Sequence, residues 1–432
     1  MPPGPGQAPI VPAGDRDAAE RLLAVLAPQS WPVRPDDLPV GTALVGGAVR
    51  DALLGRLAPR PDLDLVVEGD ALAVARGLAS RRGGSVVVLD RERSIARLVV
   101  KGWTIDLARR MGSWPEEDLL RRDFSVNAIA LELPLADRPP ALVDPSGGLA
   151  DLAAGRLRAV AEHNLLDDPL RLLRGVRLAT ELGFRIEPIT WEWVRRHHRR
   201  LGEVAGERVL AELERLARAP AGGEGLALLL EADLLAAWGV EVQNQPGELP
   251  GRLGSLDAAA ATARGLSDAE SAWAVPLARL ALLLDPAALQ RLKASRRMQH
   301  DISRLRRWWQ RLEGGTLTPE ALEERERLAL QRELEAILPA LLLLSPPGWA
   351  SDAIERWRDP EDPLFHPRSP LDGATLQAAL DLPPGPRLGA LLDHLSRERA
   401  FGRLPASPAA DDPQTLTAAR AWLSDPAEGR HG

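Results

Sequence analysis

Apolar runs of strand length crowd the first third of the chain and stop after about Gly147. TALVGG reads as a buried strand entering a glycine turn, and AVRDALLGR as the helix that follows it. DLDLVVEG opens with strict alternation. GSVVVLD, IARLVVKG and WTIDLAR carry the β-branched content of strands, and ALAVARGLASRRG is helical in composition. RRDFSVNAIALEL passes from polar to apolar and ends near Pro134. Beyond residue 147 the periodicity is that of helices, Leu/Ala-rich from 220 to 350. This order predicts an α+β protein with a mixed-sheet head at 16–147 and an all-α remainder. The remainder divides into an arginine-rich neck at 148–220, a body at 221–356, a Pro-rich linker at 357–370 and a tail at 371–432. Residues 1–15, rich in Pro and Gly, are expected to be disordered.

Composition removes several chemistries. There is no cysteine, hence no disulfide scaffold, zinc finger, iron–sulfur cluster or thiol nucleophile. Lys101 and Lys293 are the lysines, and neither follows a glycine, so a phosphate loop ending in Gly-Lys is absent. The seven histidines are scattered without an HExxH pattern. AILPALLLL, from Ala336 to Leu344, is too short to span a bilayer. The first residues lack a basic start followed by an apolar run, so the expected location is cytoplasmic, away from membranes. The formal charge of −7 argues at first sight against nucleic acid. It averages unlike parts, however. Residues 291–312 hold eight Lys/Arg against one acid, and residues 171–218 eleven arginines against seven acids.

The head contains the residues best suited to chemistry. In Asp62-Leu63-Asp64 two carboxylates share one face of a strand. Such a pair repels unless a cation lies between its members, and all-oxygen ligands suit Mg²⁺ completed by substrate phosphates. A solvated strand end is the bland alternative. Gly46-Gly47, at a strand-to-helix turn before Arg50, lets backbone N–H groups approach an anion. An ordinary tight turn would look the same. Asp106, in WTIDLA, could complete a metal site or simply end a strand. Arg121 and Arg122 offer planar forks for phosphate, while Asp123, four residues before Asn127, also suits a helix cap. Asp168-Pro169 has the form of an N-cap followed by proline at the first helical position. With Arg171 it could equally present an acceptor and a donor to a base.

Taken together, LVGGAVRDALLGR with DLDLVV, RRDFSVNAIAL, VDPSGGLADL and DDPLRLLRGVRLATELGF resemble class II tRNA nucleotidyltransferases, the family of bacterial CCA-adding enzymes and poly(A) polymerases. The motifs occur in family order over residues 44–184. GERVLAELERLA resembles the neck helix motif, and SPLDGATLQAALDLPPGPRLGALLDHL the tail of the CCA-adding branch. The resemblance implies a DNA polymerase beta-like head and two Mg²⁺ ions held by Asp62 and Asp64, with Asp106 as a third catalytic acid. It places Gly46, Gly47 and Arg50 around the incoming triphosphate. Arg121, Arg122, Asp123 and Asn127 fall on the sugar and phosphates, Asp168 and Arg171 on the base, and Arg174 in the same nucleotide-binding set. It further implies tRNA and CTP, with ATP for some members, as substrates, and pyrophosphate as leaving group.

One departure bears on specificity. Only 14 residues, LARRMGSWPEEDLL, separate Asp106 from Arg121. Typical CCA-adding members carry a longer loop there, and its loss in the family goes with CC addition, the final A being added by a separate A-adding member. The expectation is therefore a CC-adding enzyme. Full CCA addition, A addition and poly(A) synthesis are the alternatives, the last weakened because RSIARLVVKGW stands where that branch has a GRRF-type segment. A non-catalytic RNA-binding protein is the alternative of a different class, and intact Asp62 and Asp64 count against it. RNA contacts are expected from Arg296, Arg297, Arg304 and Arg307 on the basic run and from Arg387 in the tail. A merely solvated basic face is the competing reading.

Overall fold

The computed structural model describes residues 16–134, 138–240, 248–405 and 412–424. The run expected to be disordered, 1–15, lies outside the described residues. The chain divides into two compact units, residues 1–208 with 231–237, and residues 209–230 with 238–432.

The first unit begins with α1 (Arg16–Leu26), β1 (Ala43–Val45), α2 (Gly47–Leu53), β2 (Leu63–Val67) and α3 (Ala71–Arg82). It continues through β3 (Ser85–Asp90), β4 (Ile95–Val100), β5 (Trp103–Arg109), α4 (Pro115–Leu119), β6 (Ala130–Glu132) and β7 (Ala141–Val143). Then come α5 (Gly148–Ala153), β8 (Arg156–Leu157), α6 (Glu162–Asp167), α7 (Leu170–Leu182), β9 (Arg185–Ile186) and α8 (Pro188–Arg196); α9 (Gly206–Arg218) begins in this unit and belongs mostly to the second.

Seven strands form one mixed sheet in the order β3-β4-β5-β2-β1-β6-β7. Within this sheet, among the described residues, only β2 and β5 pair in parallel. Parallel neighbours need a long crossover, and α3 with the β3–β4 hairpin supplies it. Leu44, Leu63, Leu65, Leu98, Ile105, Leu107 and Leu131 occupy one face and are all but fully buried. Each contributes ~1.5–3 kcal/mol by leaving water. Their sequence neighbours must point to the other face, and there the register lines up Arg97, Asp106, Asp64, Val45 and Ala130 across five strands. The alternation that reads as a half-buried strand in DLDLVV is thus what puts polar groups in a row.

The β4–β5 register follows from the turn. Lys101 and Gly102 both have positive φ, 50° and 77°, the conformation of a two-residue type I′ hairpin loop. Val100 then pairs with Trp103, and three steps back along each strand Arg97 meets Asp106.

Strand signals were expected to end at Gly147, yet β8 and β9 form a short parallel ladder inside the neck region. Two residues per strand are too few to show a periodicity. α7 lies against the RRDF segment because Gly175 has no side chain; a Cβ there would stand 2.8 Å from Cζ of Phe124.

The second unit is helical. Within it Arg279 is buried and donates to the carbonyl oxygens of Ala217, Ala219, Pro220 and Leu256 at 2.8–3.0 Å. Desolvation pulls its pKa down to about 10. The tail has its own core of Leu371, Leu376, Leu388, Leu391, Leu395, Leu404, Ala419 and Trp422. Leu364 and Phe365, within the Pro-rich run 357–370, are also buried. Among the described residues no helix is long and apolar enough to cross a membrane.

Candidate active site

β1 ends at Val45, and Gly46 turns the chain into α2 with φ 75° and ψ −136°, a region open in practice to glycine alone. A Cβ at Gly46 would stand 3.1 Å from Oδ2 of Asp64 and 3.6 Å from Nη1 of Arg122. Backbone, carboxylate and guanidinium therefore meet at this turn. Asp62 precedes β2 and is exposed; Asp64 lies within β2 and is half-buried. Asp64 stands opposite Asp106 on the parallel neighbour β5. Burial pushes the Asp64 carboxyl up to about 6, with Arg122 and Arg174 opposing and Asp106 and Asp62 adding to the rise.

Asp106 is held by Arg97 through two bonds, Nε to Oδ1 and Nη2 to Oδ2, both 2.8 Å. Among the described residues no three acidic or histidine groups form a ready-made metal cage. What is present fits a hard divalent cation of the kind that takes one or two carboxylates and fills its shell with water and phosphate oxygens. Asp62 and Asp64 give oxygen donors only, and Asp64 and Asp106 stand side by side on neighbouring strands.

A second chain of contacts runs from α2 to α7. Arg50 donates to Oδ1 of Asn127 at 2.7 Å and to Oδ1 of Asp51 at 2.8 Å. Asn127 donates to Oδ1 of Asp123 at 3.3 Å. That same oxygen accepts the N–H of Phe124 at 2.8 Å, and Nη1 of Arg174 lies 3.7 Å from Oδ2; the helical turn that follows has Phe124, not Asp123, at its N-cap. Asp123 is buried, so these donors satisfy a charge that would otherwise be costly. Arg122 is steadied by Asp118 at 3.4 Å, while Arg121 points outward, exposed.

Asp168 lies just before α7 and has partners on two elements. It accepts the N–H of Leu170 at 3.3 Å, in the manner of a cap, and also Nη2 of Arg208 at 2.8 Å. Arg171 donates to the carbonyl oxygens of Asn164 at 2.8 Å and Arg121 at 3.1 Å. Asn164, fully buried, donates to the carbonyl oxygens of Leu120 and Arg122 at 2.8 Å each. The head motif and α7 are thus stitched together through backbone.

The five residues expected to contact RNA are placed separately, in the second unit. Arg296 and Arg297 are exposed at the start of helix Arg296–Arg311. Arg304 donates to Asp301 at 2.7 Å and to the Glu333 carbonyl, and Arg307 pairs with the Glu333 carboxylate. Arg387 is exposed and donates to the carbonyl of Leu423 at 3.0 Å.

The family model for the Poly A polymerase head domain matches residues 42–158, and one described as "Probable RNA and SrmB- binding site of polymerase A" matches residues 183–238. The CC-adding tRNA nucleotidyltransferase of Synechocystis sp. is 33% identical over 389 residues, covering 85% of this chain and 91% of that protein. The chain belongs to the tRNA nucleotidyltransferase family. A relative from Deinococcus radiodurans, an A-adding tRNA nucleotidyltransferase, is 40% identical over 224 residues, 51% of this chain and 50% of its own length. The Thermotoga maritima CCA-adding enzyme in complex with tRNA shares the fold at a TM-score of 0.66, with 22% identity over 88% of this chain and 91% of that one.

Several residues of this tRNA nucleotidyltransferase head escape a reading by motif. Arg97 could have been found by counting from the Lys101-Gly102 turn. Arg208 carries no local signal, because its acceptor lies 40 residues away. Asp151, fully buried, accepts Ser125 at 2.6 Å, Arg156 at 2.6 Å and Arg158 at 2.9 Å. It anchors VDPSGGLADL, while Asp144 caps α5 by accepting the N–H groups of Gly148 and Leu149 at 2.7 and 3.0 Å.

Proposed function

We propose that this enzyme transfers CMP from CTP to the 3′ end of tRNA without a nucleic-acid template, releasing pyrophosphate. The observation that carries the reading is the meeting of Asp64, Arg122 and the Gly46 turn at one point, with Asp62 and Asp106 close enough to raise the Asp64 pKa. Asp62 and Asp64 would hold two Mg²⁺ ions. When bound, Mg²⁺ lowers the pKa of the RNA 3′-hydroxyl and offsets charge on the triphosphate.

The chain's own groups do the rest. The Gly46-Gly47 turn leaves backbone N–H groups open to phosphate oxygens at the start of α2. Arg122 and Arg174, which already bias Asp64 electrostatically, offer cations to the triphosphate. Arg50, Asn127 and Asp123 keep one another oriented and thereby present the sugar-binding side of the site. Asp168 accepts from the amino group of a base and Arg171 donates to its ring edge. A base with the wrong edge leaves buried groups unpaired, which is how a protein side chain can substitute for a template.

CC addition is the specificity favoured. The 14 residues between Asp106 and Arg121 are tied down rather than free. Leu107–Arg109 belong to β5, Pro115–Leu119 form α4, and between them the Met111 and Ser113 N–H groups donate to Asp118 at 3.0 Å and Glu117 at 3.1 Å. A segment so anchored has little reach to remodel a base pocket from C to A. Incubation with tRNA lacking its CCA end, CTP and ATP tests this: the expected product ends in CC, and a product ending in CCA overturns it. Asp64→Ala should abolish addition and leave tRNA binding intact. Binding alone, with no addition by the unaltered protein, would instead favour a non-catalytic RNA-binding role.

A further inference from the structure

Arg97 is a basic side chain placed against the acids from within the sheet, and no step of the proposed reaction uses it. It sits on β4 directly opposite Asp106, in a register imposed by the tight Lys101-Gly102 turn. Its fork takes both oxygens of Asp106 at 2.8 Å. Two parallel bonds of this kind are the strongest and most directional form of ion pair a guanidinium makes. The next position in the same row is Asp64.

We infer that Arg97 is a resident counter-ion that competes with the divalent cation for this carboxylate group, and so ties metal loading to the arrival of the triphosphate. The inference rests on the metal assignment of Asp62 and Asp64 made above. With both its oxygens on Arg97, Asp106 is withheld from the metal, and two acids remain to ligate it. A cation arriving alone meets only part of the negative charge present, because the guanidinium has already offset some of it. A cation arriving with a triphosphate brings its own counter-charge, and Arg97 no longer opposes it. The field of Arg97 reaches beyond its direct acceptor. Its pKa is raised first by the bonds to Asp106 and then by the charge of Asp106, against an opposing effect of desolvation, with smaller contributions from the charges of Asp62 and Asp64.

The decisive experiment titrates the full-length protein with Mn²⁺ in a calorimeter, without nucleotide. Arg97→Gln should bind Mn²⁺ about tenfold tighter than the unaltered protein, the scale expected for one unit charge a few ångströms from a divalent ion near a protein surface. Arg97→Lys keeps the charge and should stay near the parent. Asp106→Asn removes an acid, releases the fork and should weaken binding. Adding a non-hydrolysable CTP analogue should shrink the gap between Arg97→Gln and the parent to about threefold or less. A purely structural role for Arg97 predicts the opposite sign, since a damaged site binds metal less well. Equal or weaker binding by Arg97→Gln overturns the inference. Unchanged or tighter binding by Asp106→Asn does so too, and this variant decides if Arg97→Gln does not fold. Asp64→Asn separates the two levels of argument: it should lose Mn²⁺ binding, and parent-like binding would overturn the metal assignment itself.

Discussion

Asp168 accepts Nη2 of Arg208 at 2.8 Å on one carboxylate oxygen and the Leu170 N–H at 3.3 Å on the other. Burial alone would raise its pKa, but the bonds from Arg208 and Leu170 and the charge of Arg171 outweigh burial and hold it below the ordinary range. A carboxylate kept ionised and oriented is what reading an amino group requires. Arg208 is therefore expected to support base selection without touching the base. Arg208→Ala should lower the preference for CTP over UTP by about tenfold, in line with the loss of one charge-assisted hydrogen bond of ~1.5 kcal/mol. Steady-state kinetics with each nucleotide would show it as a rise in KM for CTP. Unaltered selectivity would mean that Asp168 is oriented by its backbone bond alone.

The Asp64 carboxyl, raised to about 6 from 3.8, makes the metal-free protein sensitive to pH. A folded-state pKa above the unfolded value gives a contribution present in full below pH ~4 and lost as pH rises through ~6. Its size is bounded at ~3 kcal/mol by the shift. Asp64→Asn should thus melt a few degrees higher than the parent near pH ~8 without metal, and no higher near pH ~4. Mg²⁺ should raise the melting temperature of the parent near pH ~8 and leave Asp64→Asn unaffected. Calorimetric scans at the two pH values check both. At limiting Mg²⁺ the rate of addition should fall below pH ~6 as Asp64 takes up its proton.

Gly46 joins backbone strain to side-chain crowding. Alanine there must adopt φ 75° and place its Cβ 3.1 Å from the Asp64 carboxylate. Gly55→Ala is a suitable control, since it shares a positive φ of 65° but meets nothing within 4 Å. Both should lose ~1–3 kcal/mol of stability. Only Gly46→Ala should also lose activity, by about a hundredfold, because it displaces a group that must sit within a fraction of an ångström of its position. Equal activity loss in both variants would show the effect to be one of folding alone.

The head was largely legible because five of its seven strands carry their own signal, while β6 and β7, three residues each, are too short to show one. DLDLVV alternates, and Gly46-Gly47 marks a turn that only glycine makes. The motif residues from Gly46 to Arg174 were singled out by the resemblance of their runs to family motifs, since local pattern alone left each of them a bland alternative. Pairings between runs were a different matter. Arg208 meets Asp168, and Asn164 meets the carbonyls of Leu120 and Arg122, across 40 residues or more with no periodicity to announce it. Helix Arg296–Arg311 illustrates the reverse problem. Its charge count is plain in the sequence, but the acids that pair with it, Glu326 and Glu333, lie on another helix. Charge in a sequence is not yet charge available to a ligand.

That distinction yields a measurable difference between arginines of the same helix. Arg311 is bidentate to Glu326 at 2.9 Å, Arg307 pairs with Glu333 and Arg304 with Asp301, whereas Arg296 and Arg297 are exposed at the first turn. Arg297 lies 3.7 Å from Asp301, and its side chain is 92% exposed. An exposed, weakly paired guanidinium can displace condensed counterions from RNA; one already neutralised by a carboxylate releases few. If this face meets tRNA, the double variant Arg296→Ala, Arg297→Ala should make the salt dependence of binding shallower by about one to two units of log K against log salt. Arg307→Ala should leave the slope unchanged and instead lower the melting temperature, because it leaves Glu333 without its cation. Filter binding across about 50–200 mM salt, the range in which counterion release is largest, distinguishes them. A slope unaltered in the double variant would assign Arg296 and Arg297 to solvent rather than to RNA.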